Sequence, residues 1–396
     1  MRQKKITRYI LCWILPVAFL AAGFNCLKLS AFAFYPPESQ KLLENYRLTV
    51  FALDKEYQFC YPEIDTSGGK VYLKNLEEIV DGIYYDSVVR PVDAQVKVAP
   101  AMDQPFTYSA EKSGKGVNKE KLSRQIEVAL SIGQPTVKAE IIDLLPAVSV
   151  EGLKEKTKLL SSFQTDYSFS SAERKHNIEL AVRYLGWVRI PNGETFSFND
   201  SVGERTEKRG FKQAKIIMDG NYIDGTGGGV CQVSSTVYNA GLIAGLKATE
   251  RRAHSLLVSY VEPSFDAMVN SGSSDLKLQN QTGEDVYITC RTLNGKIEVR
   301  IFGKKGKSTY RRVSEVKEYI SPPQTEEVES EQYCLGERII KVNEKKGAKS
   351  VAYLERYEDG KLVERKKLSS DTYSPVKGVT IVGTAPLKDE INEEMI

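Results

Sequence analysis

Cys231 follows a dense glycine run, Gly225-Thr226-Gly227-Gly228-Gly229-Val230-Cys231-Gln232-Val233-Ser234-Ser235-Thr236. Successive glycines are costly to order, at about 0.5 to 1 kcal/mol each relative to alanine, so the run implies close approach of this backbone to something. Val233, Val237, Ala240 and Leu242 to Leu246 then supply an apolar helix, which puts Cys231 at or just before a helix N-terminus. Unpaired N–H groups and the helix dipole favour a thiolate there. The same groups, around Gly229 to Gln232, are suited to an oxyanion formed when a thiolate attacks a carbonyl, an effect of about 3 kcal/mol per donor. Gly228, Gly229, Gln232, Ser234 and Ser235 are therefore the candidate substrate-binding and oxyanion residues. The competing reading is a small buried structural thiol; glycines before Cys231 and polar residues after it argue against inert burial.

A nucleophilic thiolate needs a base or ion-pair partner, most often imidazole. The chain has two histidines. His254, in Arg251-Arg252-Ala253-His254-Ser255, precedes a segment, Leu256 to Val261, that alternates like a strand. His176 stands among Arg174, Lys175 and Asn177 on a helix and reads as solvated. The third member of such a triad is a carboxylate that fixes the imidazole tautomer. Asp266 and Asp275 are both candidates, and the turn at Glu262-Pro263-Ser264 gives Asp266 a slight preference. Arg252 is a candidate for binding a substrate carboxylate.

The elements that must position these residues are legible in outline. Ser171 to Arg174 opens a helix with Ile178, Ala181, Val182 and Leu185 on one face, and Pro191-Asn192-Gly193 is the turn that ends it. Upstream, Asn118 caps a helix carrying Leu122, Ile126 and Ala129 or Leu130, and Thr136 to Ile142 alternates like a strand. Lys154 to Phe163 is expected as a short polar helix linking domains. Beyond Gly303, a tail of alternating strands carries Gly336, Gly347, Gly360, Gly378 and Gly383 at its turns, with a hairpin about Glu358-Asp359-Gly360. The class is α+β and multidomain: residues 1–34 a cytoplasmic tail with a membrane or signal segment, 35–150 a small α+β domain, 151–164 a linker, 165–304 the central α+β domain, 313–385 an all-β module and 386–396 an acidic tail.

Four cations, Arg2, Lys4, Lys5 and Arg8, precede an uncharged apolar run from Tyr9 to Leu27. At 1.5 Å per residue this run reaches across a hydrocarbon core of about 30 Å, and the cations hold its N-terminal end in the cytoplasm. The expectation is one N-terminal pass with the bulk outside the membrane, or secretion after cleavage near Ala33. The 55 basic and 52 acidic residues nearly cancel and form no basic stripe with aromatics, which argues against nucleic acid. Cys60, Cys231, Cys290 and Cys334 have neither disulfide-scaffold nor zinc spacing. No metal and no cofactor is expected.

In order along the chain, "RKHNIELAVRYL", "IPNGETFSFNDSVGERTEKRGFKQAKII", "GTGGGVCQVSSTVYNAGLIAGL", "ERRAHS", "YVEPSFDAMV" and "DLKLQNQTG" resemble the successive blocks of a VanW domain. Ser264 departs from it, standing where the family commonly has glycine before the Asp-Ala pair. "RPVDAQVKV" and "GVNKEKLSRQIEVAL" are similar to a peptidoglycan-binding domain that often precedes VanW domains, and the tail resembles the wall-associated module named for its five glycines. The resemblance implies a Gram-positive envelope protein with peptidoglycan as partner, Cys231 as the family cysteine and His254 as the histidine after the arginine pair. Some members carry VanW domains implicated in L,D-transpeptidation. Two functions follow as expectations: a cysteine acyl transferase on peptidoglycan stem peptides, or a non-catalytic wall-binding scaffold in which Cys231 is structural.

Overall fold

The structure, a computed structural model, describes residues 44–67, 70–99, 103–218 and 220–385. The apolar run Tyr9 to Leu27 and the acidic tail lie outside these residues. Among the described residues no helix is long and apolar enough to cross a membrane. The fold is mixed α+β with an all-β C-terminal module, and it divides into two units.

The first unit comprises the described residues up to Pro91 together with Ser113–Leu145. Strand Leu48–Ala52 is central to a three-stranded sheet, pairing antiparallel with Lys55–Phe59 and parallel with Thr136–Lys138. Helices Leu76–Ser87 and Lys119–Ile132 pack together and bury Val80, Ile83, Leu122 and Ile126 with Leu48 and Val50. Asn118 caps the second helix, its side chain accepting from the Lys121 N–H. The strand expected over Thr136 to Ile142 is two strands, Thr136–Lys138 and Ile141–Leu144, because each half pairs into a different sheet.

The second unit takes in Val92–Lys112 and everything from Pro146 onward. Its frame is an antiparallel sheet in the order Lys158–Asp166, Lys296–Gly303, Val286–Leu293, Trp187–Ile190. Val286, Ile288, Ile297, Val299 and Ile301 are buried in the core, which the helices Ala172–Leu185 and Val230–Ile243 complete. The helix expected over Lys154 to Phe163 is a correction: the helix is Val150–Glu155, capped by Ser149, and Lys158–Asp166 is a strand. Pairing with Lys296–Gly303, and burial of Ser161 and Thr165, override the local polarity. Gly186, not the Pro191 turn, ends the helix opened by Ser171, since strand Trp187–Ile190 intervenes.

Two sheets form the C-terminal module. Ser308–Ile320, Gly347–Glu358 and Lys361–Tyr373 make one. Glu326–Cys334, Val379–Ala385 and Arg338–Val342 make the other, with its first two strands parallel. Gly360 turns the expected hairpin, whereas Gly347 and Gly383 lie inside strands rather than at turns. Ala352 belongs to the same hydrophobic cluster as the central sheet, and Leu354 and Leu368 pack against it.

Candidate active site

The glycine run is a turn packed against its own chain. A Cβ on Gly228 would lie 2.7 Å from the Lys215 carbonyl oxygen. Gly229, at φ 109°, caps helix Val230–Ile243, and a Cβ there would sit 2.9 Å from Ile178 Cγ1. The close approach read from the sequence is therefore to neighbouring elements of the same unit. Its result is that Cys231 falls in the first helical turn.

The helix is buried nearly all round, as expected for one enclosed on every side. Gln232, Ser234, Ser235, Thr236 and Asn239 on it are each hydrogen-bonded to other protein groups. Gln232 accepts from Arg174 Nη2 at 2.9 Å and donates to the Asp166 carbonyl at 2.8 Å. Ser234 donates to the Ala267 carbonyl at 2.5 Å, and Ser235 Oγ accepts from the Ala267 N–H at 2.9 Å. Gln232, Ser234 and Ser235 thus do not face a ligand. They tie the helix to strand Lys158–Asp166 and to the segment carrying Asp266.

That tie creates the constellation. Cys231 is partly exposed, and the His254 side chain stands near enough to act on its thiol. The imidazole Nδ1 lies 2.6 Å from Asp266 Oδ2, and the same oxygen accepts the His254 backbone N–H at 2.7 Å. Nδ1 facing the carboxylate leaves the other ring nitrogen for the sulfur. In its neutral form the thiol also donates to the Val269 carbonyl at 3.3 Å. Val230 and Gln232 spend their N–H groups on Gly227 and Gly229, at 3.2 and 2.9 Å. The Cys231 N–H has no partner among the described residues.

Burial works against the Cys231 thiolate, but the hydrogen bond and charge of His254, with the nearby Arg205 charge, outweigh it and hold the thiol below its usual range. Burial likewise opposes the imidazolium; Asp266 and Cys231 prevail and lift His254 to about 9. Asp266, despite burial, is held low by His254 and the Arg251 guanidinium. Cys290 is the contrast: buried in the sheet without a partner cation, its thiol is pushed up. Because His254 binds its proton more tightly folded than unfolded, its stabilising contribution is complete below about pH 6.5. It is lost as pH rises through about 9.

The second aspartate has another task. Asp275 accepts from Ser197 Oγ at 2.6 Å and from the Asn199 and Leu276 N–H groups at 2.9 and 2.7 Å, holding the start of the short helix Phe198–Val202. We expect Asp275→Ala to cost about 1 to 2 kcal/mol, read by denaturant unfolding, and to leave Cys231 alkylation unchanged at every pH. A slowed alkylation would return Asp275 to the relay. Arg252 is exposed, its carbonyl bridging to the Met268 N–H at 2.8 Å. Its neighbour Arg251 is the one turned inward, onto Asp266. His176 bonds the Gly210 carbonyl at 2.9 Å.

Residues that sequence reasoning passed over stand beside the thiol. The Arg205 stem packs on Gly227, its Nη2 donates to Asn199 Oδ1 at 2.6 Å, and among the described residues it makes no direct ion pair. Burial, with the charges of Cys231 and Asp266, pushes the Tyr260 hydroxyl well above the usual range, against the smaller opposing effect of Ser235. Tyr260 lies on Leu256 to Val261, which is irregular backbone rather than the expected strand. The sequence signal available was the place of each in a quoted block, Arg205 in "GERTEKRG" and Tyr260 at the head of "YVEPSFDAMV".

The family model described as "VanW like protein" matches residues 173–302, and that described as "G5 domain" matches residues 312–385. The chain carries a VanW-like domain and a G5 domain. YoaR of Bacillus subtilis, described as uncharacterized, is 38% identical over 174 residues, covering 43% of this chain and 57% of that protein. The vancomycin B-type resistance protein VanW of Enterococcus faecalis is 28% identical over 153 residues, covering 37% of this chain and 55% of that protein. The chain thus spans just over half the length of these curated relatives. The G5 domain is similar to that of an IgA1 protease, at 21% identity over 20% of this chain and 94% of the other, with a TM-score of 0.15. Cys231, His254 and Asp266 all fall in the VanW-like domain. Ser264, at the position where the VanW resemblance expects glycine, adopts φ 68°, the left-handed conformation glycine reaches without strain.

Proposed function

We propose that this is an extracytoplasmic cell-wall protein acting as a cysteine acyl transferase on peptidoglycan stem peptides, with L,D-transpeptidation as its reaction. The observation that carries the chemistry is the Cys231–His254–Asp266 relay at a helix N-terminus. The VanW-like and G5 domains support the wall as its setting.

In the first half-reaction the Cys231 thiolate adds to a stem-peptide carbonyl. The amide C–N bond breaks, and the leaving amine takes the imidazolium proton from His254, leaving a thioester and neutral imidazole. The Cys231 N–H, in the first helical turn, is the donor assigned to the oxyanion, worth about 3 kcal/mol if engaged. Arg205 stands ready for a substrate carboxylate, which its guanidinium can hold through two parallel hydrogen bonds. In the second half-reaction an amine of another stem attacks the thioester, His254 takes the amine proton, and the thiolate departs.

The ion pair is testable without substrate. An ordinary thiol is roughly 0.3% ionised at pH 6. Cys231 should instead be alkylated readily by iodoacetamide at pH 6, while Cys290 stays unmodified, with peptide mass analysis assigning the site. A second rise is expected near pH 9, where the His254 imidazolium is lost. Silence of Cys231 until the chain unfolds would leave the wall-binding scaffold as the reading. The reaction itself is tested by incubating the purified chain with disaccharide peptides. Cross-linked dimers or trimmed stems together with a Cys231 acyl adduct are expected, and their absence would refute it.

A further inference from the structure

Asp266 has four side-chain hydrogen bonds, and the G5 domain supplies one of them. Oδ2 serves His254 twice. Oδ1 accepts from Arg251 Nη2 at 2.9 Å and from the Tyr373 hydroxyl at 2.6 Å. Tyr373 is the last residue of the G5 strand Lys361–Tyr373 and is 1% exposed. Its oxygen also accepts the Ser264 N–H at 2.7 Å, two residues before Asp266, where the backbone stands at φ 68°. One hydroxyl therefore holds both the carboxylate and the turn that aims it.

A second G5 residue acts one step further out. Arg251 Nε donates to the Asp266 carbonyl at 2.6 Å, and its Nη1 is shared between the two oxygens of Asp371 at 2.8 and 2.9 Å. Ser369 donates to Asp371 at 2.7 Å and fixes that carboxylate in turn. Around this contact, Ser350 meets Ser264 at 2.6 Å, Ser314 donates to the Pro263 carbonyl at 2.7 Å, and the Ser374 N–H reaches the Ser255 carbonyl at 2.7 Å. Each of these bonds that crosses between the two domains lands on residues 255–266 or on Arg251. The G5 domain grips the loop that carries the relay's carboxylate.

We infer that the G5 domain is a working part of the catalytic centre, with Tyr373 and Asp371 as positioning residues that set the orientation and charge of Asp266 beneath His254. The inference rests on the acyl-transferase reading for its use, but its geometry and its test do not need a substrate. A hydroxyl on Oδ1 withdraws negative charge from the carboxylate, so removing it throws more of that charge onto the imidazolium. Neutralising Asp371 does the reverse: the Arg251 guanidinium, no longer shared, draws more strongly on Asp266. The two residues of one domain thus bias the relay in opposite directions.

The test uses the full chain and the alkylation rate of Cys231 against pH. Tyr373→Phe should raise the pH of the basic limb by roughly 0.5 to 1 unit, and Asp371→Asn should lower it by a comparable amount. Ser350→Ala is the control, since it removes a buried hydrogen bond to the same loop without touching Asp266 or Arg251. It should lower the thermal midpoint and leave the limb where it was. Limbs that stay put in both variants, or move together in one direction, would overturn the inference and reduce the G5 contact to packing. Should Tyr373→Phe not fold, Asp371→Asn decides by itself, and an unshifted limb refutes. Failure of the acyl-transferase reading looks different: disaccharide peptides would then be left unchanged while the Cys231 limb still answered to Tyr373 and Asp371.

Discussion

Cys231→Ser is expected to reduce turnover of disaccharide peptides to background while the chain stays folded. Serine is nearly isosteric, and the contacts that hold the helix start come from Gly228, Gly229, Gln232 and Ser235 rather than from the sulfur. A serine hydroxyl offers no preformed alkoxide at neutral pH, because no base here is strong enough to ionise an alcohol ahead of attack. His254→Ala should be smaller, on the order of 10² to 10⁴-fold, the usual worth of one positioned acid or base. The measurement is product formation by mass analysis beside thermal unfolding of each variant. Full turnover in Cys231→Ser would end the covalent account, and collapse of folding in both variants would favour a structural thiol.

Arg251→Met should be the most destabilising substitution in the site. The guanidinium is 7% exposed and lies between Asp266 and Asp371, which are 1% and 13% exposed. Removing it leaves two carboxylates facing each other with little water, a loss of about 3 to 5 kcal/mol. The cost depends on pH in a definite direction. Asp266 is held below the ordinary carboxylate range when folded, so its contribution is present above about pH 4 and fades as pH falls through its folded value. The variant's deficit should therefore be largest at neutral pH and shrink toward pH 3, as urea unfolding at a series of pH values would reveal. A deficit that does not vary with pH would mean that Arg251 acts through packing of its stem on Tyr238, whose ring lies 5.8 Å from the guanidinium carbon.

The two arginines before His254 illustrate how much was legible. Composition and spacing single out the pair, yet nothing local distinguishes Arg251 from Arg252. The choice is made by one backbone bridge between Arg252 and Met268, which turns Arg252 to solvent and Arg251 inward. Asp266 and Asp275 are a similar case. Both follow turns in polar sequence, and only the fold brings one to the imidazole and the other to the start of helix Phe198–Val202. Lys158 to Phe163 misled for the opposite reason. Its polarity suits a solvated helix, but strand pairing with Lys296–Gly303 decides its conformation from more than a hundred residues away.

By itself the sequence determined what depends on neighbours a few residues apart: the caps at Asn118 and Ser171, the helix following Gly229, the hairpin at Gly360, and a cysteine presented at a helix start with one well-placed histidine. Local backbone preference and the dipole of a single helix are enough for these. The tertiary structure alone decided what depends on residues distant in the chain. It spent the polar side chains behind Cys231 on internal bonds, brought Arg205 and Tyr260 to the sulfur, and set Tyr373 against Asp266 across 107 residues of sequence. Such contacts leave no periodicity to read, because a hydrogen bond between two buried groups constrains their positions in space and nothing about the residues on either side of them.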